Sequence, residues 1–132
     1  MTDNALKLLG LALRGNNLAV GEEPVREACK TRRAALVLTA ADAADNSADR
    51  ARRWAEESGV TWVRLTWDKE TLGNALGRKL CAVAALTDRG LAAAFAEKLV
   101  QVNEGLRPAL GTLLNEKKKS RAEAKRPAVP ET

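Results

Sequence analysis

The sequence contains no histidine and no tyrosine among its 132 residues. Histidine is the side chain that most often transfers protons in enzymes, and tyrosine is a further general acid or base. Neither cysteine has an activating partner that the sequence reveals. The adjacent carboxylates Glu56 and Glu57 point in different directions if their segment is helical. We therefore expect no catalytic residue and a function other than catalysis.

Cysteine is scarce as well. Only Cys29 and Cys81 are present, and they form neither a CxxC pair nor a zinc-type spacing with histidine. Two distant cysteines do not make the disulfide framework of a small secreted domain. We expect both thiols to be reduced and buried, and we expect neither a metal nor any other cofactor.

Long apolar runs are also missing. No run reaches the roughly 18 consecutive apolar residues that a membrane span requires. The first residues, Met1 to Asn4, do not begin the basic and then apolar pattern of a signal peptide. The sequence therefore predicts a cytoplasmic protein without a membrane partner.

The net charge of +5 is unevenly distributed. Residues 1–104 hold 15 Lys and Arg against 14 Asp and Glu, whereas residues 105–132 hold seven against three. We predict a near-neutral domain over residues 1–104 and a basic C-terminal part over residues 105–132. The densest cations of that part are Lys117, Lys118, Lys119, Arg121, Lys125 and Arg126. A basic tail favours an anionic partner, and a tail that only confers solubility is the alternative.

The apolar periodicity predicts helices that alternate with strands. Two continuous apolar runs, 34–40 and 82–86, are too short for helices and are predicted to be strands buried on both faces. The other predicted strands are 18–20 and 60–65, and the predicted helices are 3–14, 21–33, 47–58, 69–76, 89–103 and 106–115. Gly59 and Gly77 are predicted to end the helices before them, and Asp88 is predicted to cap the helix that starts at Arg89. This alternation indicates a three-layer α/β/α sandwich around a small mixed sheet. Residues 116–132 are charged and are predicted to be disordered.

A glycine-led turn joins the first predicted strand to the second helix. Gly21 allows another molecule to approach the backbone, and the first amides of the helix point outward as hydrogen-bond donors. Such a helix start suits a phosphate or a base edge. Here Glu22 and Glu23 follow the glycine, so carboxylates stand where an anion would arrive.

The order of these elements, together with the residues at their ends, resembles that of the ribosomal protein L7Ae/L30e family of RNA-binding proteins. Within that family the chain is most similar to the small bacterial YlxQ-like members. The resemblance covers about residues 5–100. It is carried by residues 8–12, residues 18–23, residues 36–38 with Asp42, and residues 72–88 with Gly73 and Gly77.

The resemblance implies a ribonucleoprotein function. The family grips a kink-turn, an RNA element with a sharp bend, sheared G·A pairs and an extruded nucleotide. The expected partner is therefore a structured RNA, kink-turn-like or ribosomal, and residues 1–104 are expected to form the RNA-binding domain of a monomer. The RNA-binding residues so implied are Gly21, Glu22, Glu23, Arg26, Lys30, Arg78, Lys79, Leu80, Cys81 and Ala82.

The chain departs from the family pattern at the helix start. Glu23 stands where Asn or Lys is usual, Pro24 where kink-turn binders have Glu or Gln, and Glu27 where they have Lys. Leu80, Cys81 and Ala82 match the apolar segment that packs on the extruded nucleotide. Leu80 and Cys81 could equally be core residues at the start of a strand.

Two functions follow from these departures as alternatives. In the first, nearby cations compensate for the lost residues and the chain binds RNA; the candidates are Arg14, Arg26, Lys30, Arg32, Arg33, Arg78 and Lys79. In the second, the acidic helix start belongs to a protein-interaction module that has kept the fold and lost kink-turn recognition. The three tryptophans decide neither, because at least two of them are predicted to pack between the third helix and the sheet.

Overall fold

The computed structural model describes residues 4–102, 104–111 and 113–114. Nine helices and strands alternate along this part of the chain. They are α1 (Asn4–Arg14), β1 (Leu18–Val20), α2 (Glu22–Lys30), β2 (Leu36–Thr39), α3 (Asp45–Ser58), β3 (Thr61–Arg64), α4 (Lys69–Ala75), β4 (Val83–Leu86) and α5 (Arg89–Val102), followed by a 3₁₀ turn (Glu104–Leu106).

The four strands form one mixed sheet in the order β1-β4-β2-β3. β4 is antiparallel to both of its neighbours, with Leu86 opposite Leu18 of β1 and Leu36 of β2. β3 runs parallel to β2. This arrangement places the carboxyl ends of β1, β2 and β3 and the start of β4 at one end of the sheet. The loops at that end include the glycine-led turn and the loop before β4.

Two hydrophobic clusters cover the two faces of the sheet. The larger one packs α1, α4 and α5 against one face and contains Leu9, Leu72 and Phe95. The smaller one packs α2 and α3 against the other face and contains Val25 and Ala55. Helices therefore lie on both faces, and the predicted three-layer α/β/α sandwich with a small mixed sheet is confirmed.

The central position of β2 and β4 explains their composition. Every residue of both strands is buried, as the continuous apolar runs predict. The edge strands are covered less completely. Trp54 and Trp62 are half-buried against the smaller cluster, which confirms that two tryptophans pack between the third helix and the sheet. Trp67 lies on the other face with its ring centroid 6.3 Å from that of Phe95.

Four helices are followed, within two residues, by a residue in the left-handed region of backbone conformation: Asn16, Arg32, Gly59 and Gly77. Left-handed residues close helices by directing later amides back to free carbonyls. Glycine and asparagine adopt this conformation readily, whereas arginine does not. The second helix was predicted to reach Arg33, which is wrong. It ends at Lys30, because the Arg33 amide turns back to the Ala28 carbonyl at 2.8 Å.

The chain continues to pack on the domain after α5. Residues 107–111 and 113–114 are helical, within the helix predicted over 106–115. Leu110 and Leu113 are buried in the larger cluster. The division into residues 1–104 and 105–132 stays a prediction, and the basic stretch from Lys117 to Arg126 lies outside the described residues. Within the described ranges, no helix is both long enough and apolar enough to cross a membrane.

Candidate functional site

Gly21 lies between β1 and α2 with φ 100° and ψ 163°. Side-chain-bearing residues rarely adopt this conformation, so the turn requires glycine. A Cβ built there would meet only Pro24 Cδ, at 3.7 Å, so the requirement comes from the backbone angle rather than from crowding. The Gly21 amide donates to the Val83 carbonyl at 2.9 Å. This bond fixes the helix start against the first residue of β4.

The loop from Arg78 to Ala82 is held by three backbone hydrogen bonds, each of which involves a different residue of the loop. The Arg78 amide donates to the Gly73 carbonyl at 2.8 Å, and the Cys81 amide donates to the Lys69 carbonyl at 3.0 Å. The Ala82 carbonyl accepts from the Ala40 amide at 2.9 Å. The loop is therefore anchored to α4 on one side and to β2 on the other.

These two segments lie side by side at one end of the sheet. Val20 pairs with Ala84 in the antiparallel ladder, and the Gly21–Val83 bond extends that ladder by one step. We call the surface formed by residues 21–24 and 78–82 the loop edge. The structure thus brings together Gly21, Glu22 and Glu23 with Arg78, Lys79, Leu80, Cys81 and Ala82, which are eight of the ten residues that the sequence singles out.

Leu80 and Cys81 face in different directions. Leu80 is 59% exposed, whereas Cys81 is only 4% exposed and belongs to the larger hydrophobic cluster. The Cys81 thiol donates to the Val83 carbonyl at 3.5 Å. Leu80 therefore offers an apolar surface to a ligand, and Cys81 supports the loop from below.

Glu22 is turned away from the loop edge and toward α3. Arg50 donates to both carboxylate oxygens, from Nε to Oε1 at 2.8 Å and from Nη2 to Oε2 at 3.0 Å. Ser47 Oγ donates to Oε2 at 3.0 Å. The hydrogen bond from Arg50 lowers the pKa of Glu22 below its ordinary value, so this carboxylate stays ionised and paired. Sequence reasoning missed Arg50 and Ser47, because nothing local links residues so far apart in the chain.

Glu23 remains in solvent. Its carboxylate is 3.7 Å from Arg26 one turn later, and its side chain is 85% exposed. An exposed pair of this kind contributes little to stability. Two backbone donors are left at this helix start, the amides of Glu22 and Glu23, because Pro24 has none and the Val25 amide bonds to the Gly21 carbonyl.

Five of the seven predicted cations line two different grooves, one on each side of α2. Arg78 lines a groove of about 400 Å³ beside β1, together with Pro24, Glu27 and Arg33. Arg26 and Lys30 instead line a groove of about 430 Å³ between α2 and α3. The structure therefore does not bring Arg26 and Lys30 to the loop edge, although both belong to the same helix as Glu22 and Glu23.

Both cysteines are buried and free. Burial raises the pKa of the Cys29 thiol and that of the Cys81 thiol. Each thiol is therefore held in its protonated, weakly nucleophilic form at neutral pH. In the part of the chain that the structure describes, His, Cys, Asp and Glu side chains form no cluster of three or more that could hold a metal.

The sequence matches the model of the ribosomal protein L7Ae/L30e/S12e/Gadd45 family over residues 3–96. It is also similar to the RNA-binding protein YlxQ of Bacillus subtilis (strain 168), with 33% identity over 95 residues. That alignment covers 72% of this chain and 90% of the Bacillus protein. The region that matches the family, residues 3–96, contains both segments of the loop edge.

Two solved structures share the fold. A protein of unknown function from Bacillus halodurans C superposes with a TM-score of 0.69 and 26% identity, covering 74% of this chain and 98% of that one. The Giardia lamblia 15.5kD RNA binding protein superposes with a TM-score of 0.59 and 22% identity, covering 79% and 92%. At that identity the Giardia protein supports the fold alone.

Proposed function

Because the chain belongs to the ribosomal protein L7Ae/L30e/S12e/Gadd45 family, we propose that it is a non-catalytic RNA-binding protein that holds a structured RNA at the loop edge. The similar Bacillus subtilis protein is described as RNA-binding. The family match over residues 3–96 includes both segments of this surface. The observation that carries the proposal is the Gly21–Val83 hydrogen bond, because it holds a helix start and an exposed loop next to each other.

The chemistry of the loop edge suits an unstacked nucleotide beside a phosphate. The amides of Glu22 and Glu23 are donors at the positive end of the α2 dipole. Leu80 supplies an exposed apolar side chain against which a base packs, and Arg78 and Lys79 supply charge beside it. RNA is recognised chiefly where its bases are splayed out of the helix, which favours a bent or bulged element.

Within structured RNA, a kink-turn is the target that we propose. The extruded nucleotide of a kink-turn can pack its base on Leu80 while the amides at the start of α2 bind a phosphate beside it. We propose that the kink-turn belongs to ribosomal or ribosome-associated RNA. The carboxylates at the start of α2 repel an RNA phosphate less strongly than the sequence alone suggests. Glu22 is neutralised by Arg50, which leaves Glu23 as the exposed carboxylate of the turn.

The burial of both thiols supports the absence of catalysis. A cysteine nucleophile requires an accessible thiolate, and here burial raises the pKa of each thiol. The sequence offers no histidine to act as a base.

The test compares two RNA duplexes of equal length, one with a kink-turn and one in which Watson–Crick pairs replace its sheared G·A pairs. We expect the protein to bind the kink-turn more tightly. Leu80→Ala should weaken kink-turn binding about tenfold, because full burial of a leucine side chain contributes roughly 1.5–3 kcal/mol and a base would cover much of the exposed part of Leu80. Fluorescence anisotropy at a fixed salt concentration measures both affinities.

Leu11→Ala is the matched control. Leu11 is 58% exposed on α1, outside the loop edge, so its truncation removes the same surface without touching the proposed contact. Equal losses for Leu11→Ala and Leu80→Ala would contradict the site. Absence of binding to either duplex at about 50 mM salt would reject RNA binding and favour the protein-interaction alternative.

A further inference from the structure

A second basic surface lies between α2 and α3, on the flank of the molecule beside the loop edge. The groove there has a volume of about 430 Å³ and is lined by Arg26, Lys30, Arg32 and Arg53 with one carboxylate, Glu57. Half-buried Trp54 forms part of its wall. Four cations against one anion give the groove a net positive charge, although residues 1–104 as a whole are near neutral.

Three of these cations are available to a ligand. Within the described ranges, Lys30, Arg32 and Arg53 form no ion pair, whereas Arg26 is 3.7 Å from Glu23. All three side chains are exposed. Cations gathered in one groove repel each other, and a bound anion relieves that repulsion.

Arg32 reaches the groove at a conformational cost. It has φ 61° and is the left-handed residue that closes α2, a position that favours glycine. Asn16, Gly59 and Gly77 occupy the equivalent position after three other helices, and these residue types tolerate it. Arginine is not a residue type that this backbone position favours, and the Arg32 side chain lines the groove.

The groove and the loop edge are linked by one short helix. α2 has nine residues and a length of about 13 Å, with the loop edge at its start and Lys30 and Arg32 at its end. A nucleic-acid strand that leaves the loop edge along this helix meets the groove after a few nucleotides.

From these observations we propose that Lys30, Arg32 and Arg53 form a second RNA contact that binds the phosphate backbone of a stem flanking the structured element. The contact rests on the proposed RNA-binding function. Phosphate contacts position an RNA without reading its sequence. The groove therefore strengthens binding to any duplex, and the loop edge provides the discrimination between RNA elements.

The experiment uses the full chain and the two duplexes described above. The groove variant combines Lys30→Gln, Arg32→Gly and Arg53→Gln, and its affinity should fall roughly tenfold for both duplexes at about 100 mM salt. The log–log slope of affinity against salt should become shallower by about one for each lost phosphate contact. Arg32→Gly alone should weaken binding without lowering the melting temperature, because glycine suits a left-handed position.

The control removes three cations from helices α1 and α5 on the opposite face of the sheet, as Lys7→Gln, Arg89→Gln and Lys98→Gln. An equal loss in the control, or an unchanged salt slope in the groove variant, would overturn the proposal. If the wild type binds both duplexes equally and the groove variant binds both tenfold more weakly, the result would support the groove and reject kink-turn specificity. If the kink-turn is preferred and the groove variant binds like wild type, the groove proposal fails alone.

Discussion

At the scale of single residues, two glycines shape the loop edge for different reasons. Gly21 is required by its positive φ, whereas Gly73 is required by space. A Cβ on Gly73 would lie 2.8 Å from the Leu80 amide nitrogen and from Leu80 Cα, and these are backbone atoms that cannot rotate away. Gly73 therefore lets the loop edge pack directly on α4.

Gly73→Ala should destabilise the fold and displace the loop. Alanine favours a helix over glycine by about 1 kcal/mol, but overpacking against a fixed backbone costs roughly 1–3 kcal/mol. We expect a net loss of about 1 kcal/mol in urea denaturation, together with weaker RNA binding. Gly111→Ala is the control, because a Cβ there meets nothing within 4 Å and should slightly stabilise the helix. Equal stability of both variants would contradict the packing role of Gly73.

At the scale of helices and strands, the two helices on the smaller cluster are tied together by charge as well as by apolar contact. Glu22 at the start of α2 accepts hydrogen bonds from Arg50 and Ser47 of α3. The same contacts remove a negative charge from the face that RNA would approach. One interaction thus joins two helices and adjusts the electrostatics of the site.

This link predicts a pH dependence. The pKa of Glu22 is lowered in the folded protein, so its stabilising effect is complete above its unfolded pKa and is lost as pH falls through the folded value. Glu22→Gln should be less stable than wild type at pH 7, and the difference should shrink once pH falls below roughly 5. Urea denaturation across this pH range measures the difference.

Arg50→Gln should reproduce the stability loss and also weaken RNA binding, because it leaves the Glu22 carboxylate unpaired beside the loop edge. Arg52→Gln is the matched control on α3. Arg52 lies 3.8 Å from Asp49 of its own helix and, among the residues that the structure describes, forms no ion pair with α2. A stability difference for Glu22→Gln that stays constant from neutral to acidic pH would show that the carboxylate charge is not involved.

At the scale of the whole molecule, positive charge is unevenly distributed along the chain and over its surface. Residues 1–104 are near neutral as a whole, and four of their 15 Lys and Arg line the groove between α2 and α3. The basic residues from Lys117 to Arg126 follow the last described helical residues in the chain. A cluster of cations adds affinity for phosphate that falls steeply with salt.

Deletion of residues 116–132 should therefore weaken binding to both duplexes at low salt and make the salt slope shallower. The preference for the kink-turn over the plain duplex should stay unchanged, because the loop edge is intact. Anisotropy titrations at several salt concentrations check both quantities, with Lys117→Gln, Lys118→Gln and Lys119→Gln as a variant of full length. A tail deletion that reduces the preference itself would place part of the recognition in the tail.

The sequence alone determined those features that depend on neighbouring residues. Local periodicity predicts the buried strands β2 and β4. Local backbone preference predicts that Gly59 and Gly77 end helices and that Asp88 caps α5, where its Oδ2 accepts from the Leu91 amide at 2.8 Å. The alternation of these elements then left few architectures, because each helix must bury an apolar face against the sheet.

Only the tertiary structure decided what the loop edge consists of. Two contacts join residues that are distant in the sequence: the Glu22–Arg50 ion pair and the close approach of Gly73 to Leu80. Conversely, Lys30 and Arg78 look equivalent in the sequence, but the structure places them in different grooves. Local preference carries no information on such contacts, because they depend on which faces the sheet order brings together. Arg32 shows the same limit at a helix end, where an arginine occupies a position whose local preference is for glycine.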